Sequence, residues 1–131
     1  MDNALTPAEL CAAIVQQAPD AIIYADAKGL IRVWNEAATR LFGYTADEAI
    51  GQSLDLIIPE RLREAHWKGF DRALSEGHTH YAGRAATTRA APKNGERLYV
   101  DLSFGVVKDA SGKAVGALAV GRLTAARGNA A

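Results

Sequence analysis

The sequence predicts an α+β domain: a five-stranded antiparallel sheet with short helices and one longer helix on one face, preceded by an N-terminal helix. Three observations carry this. Leu98, Val100, Leu102, Phe104 and Val106 alternate with Tyr99, Asp101, Ser103 and Gly105, the period of a strand with one face in a core. Ala27-Lys28-Gly29 and Lys93-Asn94-Gly95 each follow the hairpin pattern, a turn between β-forming stretches. Between them, Asn35 to Gly77 carries repeated helix-start and helix-stop signals. Helix, two strands, several helices and three strands is an order that lays the helices on one face of the sheet.

The elements follow in turn. Thr6-Pro7-Ala8-Glu9 opens the first helix, with Thr6 as N-cap, Pro7 in the first turn and Glu9 as its capping-box partner. Leu5 and Leu10 can staple that cap, and Leu10, Ile14 and Val15 form a short apolar face before Pro19 ends the helix. Residues 21–26 and 30–34 make the first hairpin, rich in Ile, Tyr and Val. Asn35 caps a short helix that Gly43 closes, and Thr45 with Glu48 repeats the capping box. The longer helix runs from about Pro59 to Glu76, with Gly77 as its stop. Residues 81–91 are the expected partner of the alternating strand, and Val115 to Leu123 the final one. The expected division is therefore 1–18 as a capping or dimerisation helix, 19–123 as the folded domain, and 124–131 as a flexible tail.

Composition narrows the function classes. The chain has 131 residues, enough for one core, with 15 basic and 15 acidic side chains. No basic stripe suits nucleic acid, and no apolar run is long enough to span a bilayer. The start lacks the pattern of a signal peptide, and Cys11 has no second cysteine to pair with. A cytoplasmic location is the expectation. No nucleophile, base and orienting group assemble in the sequence, so an enzyme is not expected. His78-Thr79-His80 lacks the further ligands that a structural zinc site needs.

Pro19-Asp20-Ala21-Ile22, Trp34-Asn35-Glu36-Ala37-Ala38, Leu41-Phe42-Gly43-Tyr44, Glu48-Ala49-Ile50-Gly51, Lys93-Asn94-Gly95 and Ala114-Val115-Gly116 occur in the order found in PAS domains, which the chain resembles over about residues 17–123. The resemblance implies a cupped sheet enclosing a ligand pocket, in a sensory and dimerising module. Within the family, the chain resembles the haem-binding oxygen sensors of the FixL type and the bacterial direct oxygen sensor phosphodiesterase. The stretch from Ile58 to Gly95 aligns with both without a gap. That register implies His66 as the proximal ligand of haem b, Arg72 and His80 as propionate contacts, and Leu102 and Phe104 as the apolar distal wall. Two departures stand out. The distal arginine of the relatives is Ala86 here, and Arg84 occupies the place of one relative's distal methionine. A tyrosine on the long helix of the relatives is Gly69. Cys11 lies outside the place used for flavin adducts.

Without the family, His66 is a ring-nitrogen donor on a helical stripe of Leu62, Gly69, Phe70, Ala73 and Leu74. Gly69 costs the helix about 1 kcal/mol and leaves room for a flat group. A core histidine bonded to backbone explains the same residue equally simply. Arg84, among alanines on an expected central strand, faces solvent, pairs with Asp101 or points into the pocket. Arg72 and His80 read by themselves are a solvated helix residue and a loop residue.

The leading expectation is thus a sensor that binds haem through His66 and senses a diatomic gas, oxygen, carbon monoxide or nitric oxide, as a homodimer coupled to an output domain or partner. Two alternatives remain open: an interaction or dimerisation module without cofactor, and a sensor of a small organic carboxylate held by Arg84.

Overall fold

The computed structural model of the protein describes residues 4–79 and 85–125. Helix α1 spans Pro7–Gln17, strands β1 and β2 Ala21–Asp26 and Ile31–Trp34, and helices α2, α3 and α4 Glu36–Phe42, Ala46–Ala49 and Arg63–Glu76. Two short 3-10 turns, Leu54–Ile57 and Glu60–Leu62, lead into α4. Strands β3, β4 and β5 are Ala86–Ala90, Leu98–Lys108 and Ala114–Leu123. The expected long helix from Pro59 is therefore a 3-10 turn followed by α4, and the described part of the strand expected over residues 81–91 is β3.

Caps form where the residue types call for them. Thr6 and Thr45 each accept from the backbone three residues on, while Glu9 and Glu48 reach back to the cap. Asn35 caps α2, and Gly77 closes α4 in the left-handed conformation, φ 78°. The Leu5 and Leu10 pair does not bury itself: both are about half exposed. Thr124, assigned to the tail by its composition, is buried, donating to Asp101 through its hydroxyl and to Tyr99 O through its backbone amide.

The sheet has five antiparallel strands in the order β2-β1-β5-β4-β3. Side chains directly opposite across an antiparallel pair share a face. Ile23 pairs with Ala119, Ala119 with Phe104, Gly121 with Leu102, and Leu102 with Ala86. The inner face is therefore Ala21, Ile23, Ala25, Ile31 and Trp34, continued by Ala117 and Ala119, then the Leu98 to Val106 series, and Ala86, Thr88 and Ala90. The two residue series of β4 lie on opposite faces as expected, but burial does not alternate: only Val100 is fully buried and both faces are partly covered.

Packing is uneven across that face. Around β1 and β2, Ile31, Trp34, Ala38 and Phe42 are sealed, with Val100 and Ala90 completing the cluster. Each large side chain buried there contributes about 1.5–3 kcal/mol. Trp34, a buried core aromatic, donates from Nε1 to Thr39 Oγ1 and Tyr44 O. Toward β3 and β4 the seal loosens: Ala86, Thr88, Leu102, Phe104, Ala117 and Ala119 all keep accessible surface. Helix α4 packs on β5.

Candidate functional site

Helix α4 turns one edge toward the domain. Phe70 is its only buried residue among those described, and His66 lies one turn before it. The His66 ring stands against two aromatics, with its centroid 4.6 Å from Trp67 edge-on and 6.0 Å from Phe70. Trp67 and Phe70 are themselves perpendicular at 5.1 Å. Trp67 also donates from Nε1 to Asp55 Oδ1 at 2.8 Å, and Arg63 donates to the backbone oxygens of Ile58 and Asp55. These contacts pin the start of α4 to the preceding 3-10 turn.

This apolar surrounding has an electrostatic consequence. Burial lowers the His66 pKa from its ordinary 6.5, and the nearby Asp55 carboxylate offsets only part of that shift. The imidazole is held neutral at neutral pH, the form that ligates metals. Its Nδ1 is sealed from water with no hydrogen-bond partner, the one such side-chain atom among the described residues; Nε2 is not sealed in this way. An unmet polar atom at this depth costs about 1–3 kcal/mol. A histidine kept only for packing is usually hydrogen-bonded. The ring is thus neutral, with Nδ1 lacking a partner among the described residues and Nε2 not sealed in the same way, so Nε2 is the nitrogen that suits a haem iron.

The remaining expected site residues fall as follows. Leu102 and Phe104 are side by side on the inner face of β4, and Ala86 lies opposite Leu102 on β3. Gly69 is exposed, and a Cβ there would meet nothing within 4 Å. The glycine is open to solvent, and Trp67, absent from the stripe read in the sequence, packs beside His66 in its stead. Arg72 is exposed and paired with Glu76 at 3.1 Å. His80 and Arg84 lie outside the described residues. Asp101, a possible partner for Arg84, accepts from the hydroxyls of Thr87 and Thr124 on the outer face. Asp55 and Trp67 were missed because their bond joins residues twelve apart across a turn. The only signal in the sequence was a tryptophan next to the singled-out histidine.

Two surface clefts lie elsewhere, one between Phe42 and Lys93 and one between Glu60 and Arg89, and His66 lines neither. Among the described residues no three His, Cys, Asp or Glu side chains converge on a metal position. A haem iron needs only one nitrogen from the protein. No described helix is long and apolar enough to cross a membrane.

Comparison with known proteins agrees with this architecture. The chain is 33% identical over 92 residues to the sensor protein FixL of Bradyrhizobium diazoefficiens, covering 70% of this chain and 18% of that protein. It is 29% identical over 83 residues to the oxygen sensor protein DosP of Escherichia coli, covering 63% of this chain and 10% of that one. The chain thus spans under a fifth of the length of either relative. In structure it resembles the PAS domain of a protein from Colwellia psychrerythraea, with TM-score 0.78 and 22% identity over 91% of this chain and 98% of that one. The PAS fold family matches residues 9–123. With its strand order, its helices and nearly its whole length accounted for, the chain belongs to the PAS fold family.

Proposed function

We propose that this PAS sensor domain binds haem b through His66 and responds to a diatomic gas. The observation that carries the reading is the neutral His66 ring, whose Nε2 is not sealed as Nδ1 is, at the position where the resemblance to haem-binding PAS domains puts the proximal ligand. Haem, when bound, supplies an iron with a free coordination position for oxygen, carbon monoxide or nitric oxide. The chain's own residues do the rest. Trp67 and Phe70 fix the imidazole plane and keep it neutral. Leu102 and Phe104 offer apolar surface, and Ala86 leaves space where the relatives carry an arginine. Arg72, His80 and Arg84 are the cationic side chains proposed to meet haem carboxylates or the bound gas, a role that charge-assisted hydrogen bonds would favour. The signal then passes to an output domain or partner protein.

The second reading is an interaction module. Leu5, just before α1, and Leu10 and Ile14 on it are 52%, 49% and 59% exposed, apolar surface that suits a homodimer. One titration separates the two. Haemin added to the purified chain is expected to give a sharp Soret band, and His66→Ala to weaken binding roughly tenfold or more, about 1.4 kcal/mol per tenfold. A wild-type chain that stays colourless would leave the interaction module and the sensor of a small organic carboxylate.

A further inference from the structure

A histidine that ligates a metal is ordinarily held by a hydrogen bond from its second ring nitrogen to a carboxylate, a carbonyl or a water. His66 has no such bond among the described residues: Nδ1 is sealed and unpartnered. Its ring is held by contact instead. Trp67 meets it edge-on with centroids 4.6 Å apart, and Phe70 stands 6.0 Å away, one turn further along α4. The imidazole keeps one orientation only as firmly as these two aromatics keep theirs.

Phe70 is buried, and its position is set by the domain around it. Trp67 is only half buried, so packing alone leaves more than one staggered position open to it. Two contacts remove that freedom. At the five-membered end of the indole, Nε1 donates to Asp55 Oδ1 at 2.8 Å. At the six-membered end the ring lies against Gly29, so close that a Cβ added there would collide with Cη2. Gly29 limits how far the ring advances, and the bond to Asp55 sets its rotation. Asp55 is itself fixed on the 3-10 turn, where its amide donates to Ser53 Oγ at 3.1 Å and its carbonyl oxygen accepts from Arg63 Nη2 at 3.3 Å. Arg63 Nε also lies 3.8 Å from the Asp55 carboxylate, which balances part of its charge.

Resting on the haem reading above, we infer that Asp55 is a positioning residue for His66 and acts through Trp67. It fixes the indole whose edge sets the imidazole plane, and with that plane the direction in which Nε2 presents its lone pair. The carboxylate that elsewhere bonds a ligating histidine directly, and raises its basicity, here bonds the neighbouring indole. His66 is thereby oriented by shape and donates as a plain neutral imidazole.

The test reads the iron–histidine stretching band of the reduced, haem-loaded chain by resonance Raman, a band that follows the orientation and donor strength of the imidazole. Asp55→Ala is expected to shift and broaden it, since several ring orientations replace one. Asp55→Asn keeps an oxygen that accepts from Trp67 Nε1 and is expected to restore the wild-type band. Trp67→Phe removes the same bond from its other end and is expected to broaden the band alike; adding Asp55→Ala to it changes nothing further. A wild-type band in Asp55→Ala, or in Trp67→Phe should Asp55→Ala not fold, overturns the role of Asp55 and leaves the haem reading standing. A band that Asp55→Asn leaves displaced assigns the effect to charge and overturns the route through Trp67. A wild-type chain that takes up no haem overturns the haem reading, and this inference with it.

Discussion

Asn35 has no exposed surface, and its amide uses all of its hydrogen-bonding capacity. Oδ1 accepts from Ile22 N at 2.9 Å and Ala38 N at 3.0 Å, and Nδ2 donates to Val15 O at 2.8 Å and Asp20 O at 3.0 Å. One side chain therefore joins the end of α1, the linker after it, the start of β1 and the first turn of α2. Asn35→Ala would leave two amide hydrogens and two carbonyls short of a partner, at about 1–3 kcal/mol for each group that water cannot reach. The expected loss in urea unfolding is at least about 3 kcal/mol; a loss under about 1 kcal/mol would show that water replaces the amide. The N-cap role was legible, because Asn before a helix start has a local mechanism. The other three bonds were not, since they connect residues 13, 20 and 15 positions apart and exist only once the chain has folded.

Helix α4 is anchored to the rest of the domain by few contacts, and Trp67 makes the most specific of them. Its ring lies over Gly29 in the turn between β1 and β2, where φ is 81° and an added Cβ would fall 2.4 Å from Trp67 Cη2. Glycine is thus required twice, by backbone and by ring. Gly29→Ala is expected to cost about 1–2 kcal/mol for the left-handed backbone and a further ~1–3 kcal/mol for crowding the indole. In a Trp67→Ala background the crowding disappears and only the backbone part remains. Denaturant unfolding of the four chains would give the difference as a coupling; equal costs in both backgrounds would place Trp67 away from the turn. The turn itself was legible from Ala27-Lys28-Gly29. The role of Trp67 was not, because periodicity ranked the stripe through Gly69 and gave no weight to a residue beside it. The capping boxes at Thr6 and Thr45 and the alternation along β4 were legible because each is set within a few residues.

At the scale of the molecule, the domain is sealed at one end and looser at the other. Large side chains close the inner face around β1 and β2, whereas alanines and the partly exposed Leu102 and Phe104 line it toward β3 and β4. The His66 helix packs over β5 beside that looser end. A fold with one firm core and one looser one is suited to completion by a ligand, and binding would add stability that grows with the logarithm of free ligand over Kd. The fold reads from the sequence because five strands and their turns repeat local rules. The ligand does not, because one nitrogen and a stretch of small side chains suit several occupants.

The most direct test of the central claim is to replace the imidazole and then return it. His66→Gly, reconstituted with haemin, is predicted to lose the Soret band of the wild-type chain and to regain it when free imidazole is added. A wild-type spectrum from His66→Gly without imidazole would contradict the assignment of His66 as the haem ligand.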